Sequence, residues 1–244
     1  MPPESGGAEP AISTDDWARF SERARALDGE VRAALTQRWS NAALGEHASI
    51  GSFAQFTLQL LAVGAPPELL SASHRAGLDE IEHARLSFRI VSAFAGTPFG
   101  PGPLPLPRGV PDTTLVGAAR ATLIEGCVAE TLSANEAQHA AEWATDPVIA
   151  AVLRRISEDE ARHAELAYTF VGWAIQTGGT TLADALRETT HEQFTAYERL
   201  PAPAGPSMNL RPWGVMSELD RFELQREAMR NTVRPALESM GLTP

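Results

Sequence analysis

Ile156-Ser157-Glu158-Asp159-Glu160-Ala161-Arg162-His163-Ala164 contains a Glu-x-x-His pair, Glu160 and His163, in a run that reads as helix. Residues three apart on a helix share a face, one turn apart. A carboxylate and an imidazole placed that way are able to hold one metal ion together. The same device occurs earlier, at Glu80-Ile81-Glu82-His83. Two copies in two similar halves predict a two-metal site.

Outward from these pairs the chain reads as two helical hairpins. Asp146-Pro147 opens a helix over about 147–176, with the stripe Leu153, Ile156, Glu160, His163, Ala167, Phe170 and Ala174. Pro67 opens its counterpart over about 67–95, with Ala76, Glu80, His83, Ser87, Ile90 and Phe94 on one face. In each half the proline precedes the glutamate by 13 residues. Each helix follows another across a short link, so each pair is antiparallel. The first partner runs from caps at Ser13-Thr14 to about Val63, broken near Gly29. The second runs over about 113–144 behind Asp112-Thr113-Thr114.

Between the hairpins, Pro98, Pro101, Pro103, Pro105, Pro107 and Pro111 exclude helix over 96–112. An extended strap of that length reaches on the order of 50 Å, against roughly 45 Å for a 30-residue helix. The strap therefore allows the second and third helices to lie parallel. The expected division is a disordered tail over 1–12, a four-helix bundle over 13–176, and a helical extension over 177–244. Helices are expected near 181–198 and 217–240 in that extension, which carries no motif. Its expected role is to cover the bundle, close a substrate channel, or make a subunit contact, the last giving a homodimer.

Composition bounds the rest. The 244 residues suffice for a substantial core. The net charge of −11 disfavours nucleic acid and anionic membranes as partners. Cys127 is the single cysteine, so neither a disulfide nor a Cys-x-x-Cys knuckle is available. The opening residues lack a signal-peptide pattern, and no apolar run reaches the roughly 18 residues of a membrane span. A soluble, cytoplasmic protein is expected.

Glu80, His83, Glu160 and His163 stand in stripes otherwise apolar or small, where charge is costly unless paired or metal-bound. The first helix offers Glu46 as a further ligand. The third offers Glu125 and Glu130. Repeat symmetry favours Glu125, whereas Glu130 lies on the cleaner stripe. Five residues on an α-helix turn through about 140°, so both cannot face the centre equally. Glutamates and histidines without sulfur suit iron, manganese or a mixed Fe/Mn pair.

This set, Glu46, Glu80-x-x-His83, Glu125 or Glu130, and Glu160-x-x-His163, resembles the ferritin-like superfamily of di-iron carboxylate proteins over about residues 30–176. The resemblance implies an all-α, ferritin-like four-helix bundle holding two Fe ions. It implies a non-haem oxidoreductase or oxygenase using O2 or peroxide, a small-molecule substrate and an external electron donor. It equally admits iron storage or ferroxidase activity without an organic substrate. The single cysteine excludes the four-cysteine module common in rubrerythrins. The second Glu-x-x-His and the C-terminal extension depart from storage subunits.

Other polar residues read as ordinary. His47 is expected to point off the core stripe, His74 reads as structural or surface, and His139 and His191 lack ligand spacing. Arg162 and Glu82 are candidates for orienting ligands, or for an exposed pair. Tyr168, Cys127, Trp39, Trp143 and Trp173 read as packing residues.

Overall fold

The computed structural model describes residues 12–105, 112–205 and 208–243. Apart from Ile12, the expected N-terminal tail lies outside them, as does the strap over 106–111. The described residues contain helices and no strand.

Helix α1, Thr14–Arg25, starts with a reciprocal cap between Ser13 and Asp16. It seats Trp17 and Phe20 in the core. The anticipated break near Gly29 falls at 26–28, where the Asp28 side chain caps α2, Gly29–Ala62. Helix α3, Pro67–Ala95, has proline in its first turn. Helix α4 covers residues 115–143 in three segments: α over Leu115–Ala121, π over Thr122–Glu130, and α again over Thr131–Trp143. Helix α5, Pro147–Arg199, is capped by Asp146, whose carboxylate also accepts from Arg23 at 2.7 Å.

Two expectations need correction. The third helix is not uniformly α, because a π segment occupies its middle. The fourth helix does not end near 176 but continues to its junction with the fifth. Their junction is a break at Gly179, where φ is 66° and ψ −154°. An L side chain rarely adopts that backbone, and glycine adopts it freely, so the chain turns there without a linker.

The core forms two apolar clusters. One gathers Leu35 and Trp39 of α2, Ile90 and Phe94 of α3, Ala137 and Ala140 of α4, and Ile149 and Leu153 of α5. The other gathers Phe53 and Leu60, Leu69 and Ala76, Leu123 and Cys127, and Phe170 and Ala174. The first cluster thus takes the N-terminal halves of α2 and α5 and the C-terminal halves of α3 and α4. Helices α3 and α4 therefore run parallel, as a strap of bundle length allows. The described part of that strap is irregular, and its far end is tied to α2 where Gln59 donates to the Asp112 carbonyl at 3.0 Å.

The C-terminal residues pack on both clusters. A 3-10 turn, Arg211–Trp213, meets the first, and the Trp39 indole donates to the Trp213 carbonyl. Helix α6, residues 218–239 with a π turn at Met229–Val233, buries Val233 and Leu237 in the second.

Candidate metal centre

Between the two apolar clusters, at mid-length of all four bundle helices, lies a polar belt. Glu80, His83, Glu160 and His163 are 1%, 0%, 4% and 3% exposed. Helix α2 adds Glu46 and α4 adds Glu130, each with a side chain 17% exposed. These six residues form two groups: Glu46, Glu80, His83 and Glu160; and Glu80, Glu130, Glu160 and His163. In each group one ligand atom per residue lies within 4.8 Å of all the others.

Glu80 and Glu160 belong to both groups, and the oxygens divide accordingly. Glu80 points Oε2 at His83 Nδ1, 3.8 Å away, and Oε1 at His163 Nδ1, 3.1 Å away. Glu160 points Oε1 at His83 Nδ1, 3.7 Å, and Oε2 at His163 Nδ1, 3.9 Å. Glu46 Oε2 reaches only His83 Nδ1, at 3.5 Å, and Glu130 Oε2 only His163 Nδ1, at 3.8 Å. Each histidine thus faces one carboxylate of its own and two that are shared.

Both Glu80 oxygens and the Nδ1 atoms of His83 and His163 are buried without a hydrogen-bond partner among the described residues. Such groups are costly in a protein interior unless something satisfies them. Two divalent ions would balance four carboxylates and two neutral imidazoles, and the oxygen and nitrogen donors suit iron or manganese. The residues fit a pair of metal ions.

The opposite ring nitrogens are occupied. His83 Nε2–H donates to Asp159 Oδ2 at 2.8 Å, and His163 Nε2–H to Asp79 Oδ2 at 3.4 Å. The arrangement is reciprocal: the aspartate of each Asp-Glu-x-x-His run holds the histidine of the other run. This fixes the tautomer and turns Nδ1 toward the cluster. Arg162 bonds to Asp159 and lies 3.8 Å from Asp79, while Arg155 bridges Asp159 and Glu82. Sequence reasoning missed Asp79 and Asp159. The available signal was that both Glu-x-x-His pairs are preceded by aspartate.

Electrostatics follow the geometry. Burial works against a charged His83, but Asp159, Glu46 and Glu80 outweigh it and raise the imidazole to about 12. Burial also opposes charge on His163, which Glu80 and Glu160 likewise raise. Burial pushes Glu130 up to about 7 and Glu160 well above the carboxylate range, with Glu130 adding to the latter. Burial resists ionisation of Glu80, yet the two histidines hold it below its ordinary value.

Glu125 falls outside both groups. It lies with Glu130 on a narrow cleft of about 40 Å³, open to solvent, whose wall includes His163. Phe53, Phe56, Leu166 and Ala167 supply the apolar lining. The π segment explains why both glutamates line one cleft. Its i→i+5 bonding brings residues five apart to about one turn, and the 140° argument holds only for an α-helix. Gly126 permits the close approach here, since a Cβ on it would overlap the Ala167 side chain.

His47, His74, His139 and His191 belong to neither group. Tyr168 donates to the Cys127 carbonyl at 3.0 Å, and Cys127 is buried.

The fold is an all-helical, ferritin-like bundle, and the six side chains form a carboxylate–histidine cluster within it. A solved structure described as protein 19 with aldehyde deformylating oxidase activity, from Synechococcus, shares the fold with a TM-score of 0.57. It is 16% identical, over 91% of this chain and 93% of that one. No family model matches the sequence, and no curated protein does. Among the described residues no helix is long and apolar enough to cross a membrane.

Proposed function

We propose that this chain is a di-metal oxidoreductase, with two iron ions as the resident pair, that uses O2 or peroxide to oxidise a small organic substrate. The observation that carries the reading is the division of oxygens at Glu80 and Glu160. Each sends one oxygen toward each histidine, so both carboxylates would be available to both ligand groups. Glu46 with His83 would complete one ion's ligands, and Glu130 with His163 the other's. Manganese, or one ion of each kind, satisfies the same donors.

The bound pair would supply the reduction of O2 or peroxide and the oxidising power directed at substrate. The chain supplies the rest. Asp159 and Asp79 hold the histidines in one tautomer and one orientation. The apolar clusters on either side keep the shared carboxylates Glu80 and Glu160 buried. Phe53, Phe56, Leu166 and Ala167 favour the apolar part of a substrate, and the cleft they line ends on Glu130 and His163. Glu125 lines the same cleft with its side chain exposed to solvent, suited to taking up or releasing a proton there. Electrons come from an external donor. The printed activity of the Synechococcus protein makes aldehydes the first substrates to try.

The test combines oxygen uptake with iron counting. Protein loaded anaerobically with Fe(II) and then given O2, reductant and a panel of aldehydes should consume O2 repeatedly while holding two iron ions per chain. Uptake that stops after the added iron is oxidised, with a large iron store retained in a multi-subunit cage, would contradict the proposal and indicate storage.

A further inference from the structure

We propose that Tyr168 and Thr131 are positioning residues. Their hydroxyls converge on the Cys127 carbonyl and pin the π turn that delivers Glu130 to the cluster. The inference rests on the metal-centre reading above and concerns how this chain sets that ligand's register.

A π segment has a weak point where it ends. As i→i+5 bonding gives way to i→i+4, successive carbonyls compete for one backbone N–H. The segment here covers Thr122–Glu130, and Cys127 lies in its last turn. Its carbonyl accepts from the Thr131 hydroxyl at 2.7 Å and the Tyr168 hydroxyl at 3.0 Å. The threonine bond alone would be unremarkable, since helical threonines commonly bond back to the carbonyl four residues earlier. The tyrosine comes from another helix, 41 residues away in sequence. It reaches the same oxygen, and the two hydroxyls lie 3.5 Å apart.

A neighbouring contact grips the same place. Ala167 sits against Gly126 so closely that no Cβ fits on the glycine. Two consecutive residues of α5, Ala167 and Tyr168, thus meet two consecutive residues of the π turn, Gly126 and Cys127. Glu130 follows three residues later and Thr131 directly after it. If the turn reverted to α geometry, Glu125 and Glu130 would swing apart by about 140° and would not both line the cleft. The hydrogen bonds of Tyr168 go to the π turn and to Thr131, not to a carboxylate or imidazole of the cluster. Its phenol, pushed by burial up to about 12, stays a donor at any working pH.

Tyr168→Phe removes one hydroxyl and keeps the ring. Thr131→Val removes the other and keeps the shape, and Thr131→Ser keeps the hydroxyl. Metal-free protein should be titrated with Co(II), following its visible spectrum, and amide exchange measured over residues 122–131. Wild type should take up two Co(II) per chain. The Tyr168→Phe/Thr131→Val variant should bind one of them about tenfold or more weakly, exchange faster in the π turn, and lose that ion's absorption. Thr131→Ser should match wild type. Wild-type affinities and exchange in the double variant would overturn the proposal. Should the double variant not fold, each single variant, lacking one of the two bonds, is read in the same way. Should wild type bind no Co(II), the metal-centre reading fails. The exchange rates then decide the clamp alone: faster exchange supports it and unchanged exchange refutes it.

Discussion

His83 and His163 each present one nitrogen to the cluster and one to an aspartate from the opposite hairpin. The Asp159 bond, at 2.8 Å, is shorter than the Asp79 bond, at 3.4 Å. Asp159→Asn should therefore weaken metal binding by about 10- to 100-fold, and Asp79→Asn by less, in competition titrations with a chelator. Equal, negligible losses would show that the aspartates do not orient the ligands. Protonation gives a second expectation. In the metal-free protein the carboxylates around His83 favour its protonated form, so an ion binding at Nδ1 must displace a proton. Metal affinity should rise with pH, and calorimetry in buffers of different ionisation enthalpy should detect proton release. Uptake without proton release would argue against histidine ligation. At this scale the sequence was largely legible, because a charged residue inside an apolar stripe stands out. The two aspartates did not, because they sit one step off that stripe, where a solvated residue is the ordinary expectation.

At the scale of elements, the π segment of α4 decides how the third helix serves the site. Reading that helix as uniform α-helix forces a choice between Glu125 and Glu130. The i→i+5 turn lets both line one cleft while only Glu130 joins a ligand group. No residue spacing signals such a turn, because it depends on how α5 packs against Gly126 and Cys127. Gly126→Ala should destabilise the protein by about 1–3 kcal/mol through overpacking against Ala167, measured by denaturant unfolding of metal-free protein. A neutral effect would mean that the two helices separate easily. The hairpins were readable because proline and capping residues mark their ends. The break at Gly179 was harder to read, since the conformation of one glycine sets where the fourth helix gives way to the fifth.

At the scale of the whole molecule, two apolar clusters enclose a belt of buried charge, and the C-terminal extension packs over both. One of its anchors is Asp220, which accepts from Arg211 and caps α6 with Ser217. Arg211 first, with Ser217, holds the Asp220 carboxyl down to about 2, against an ordinary 3.8. A carboxylate so depressed stabilises the fold above its unfolded value, and that contribution fades as pH falls through its folded value. Asp220→Asn should lower the thermal midpoint by about 3 °C near neutral pH, and the difference from wild type should close between about pH 4 and pH 2. A gap that persists at pH 2 would exclude the charge as its source. The strap's role in making α3 and α4 parallel was legible from proline spacing and chain reach. The way the last helices fill the second cluster was not, because their apolar residues could equally have served a subunit contact. The central claim is that six side chains from four helices would hold two ions, with Glu80 and Glu160 shared between the two groups. It is tested most directly by loading the protein anaerobically with Fe(II), desalting it and counting iron per chain: two is the predicted result, and fewer than one would contradict the account.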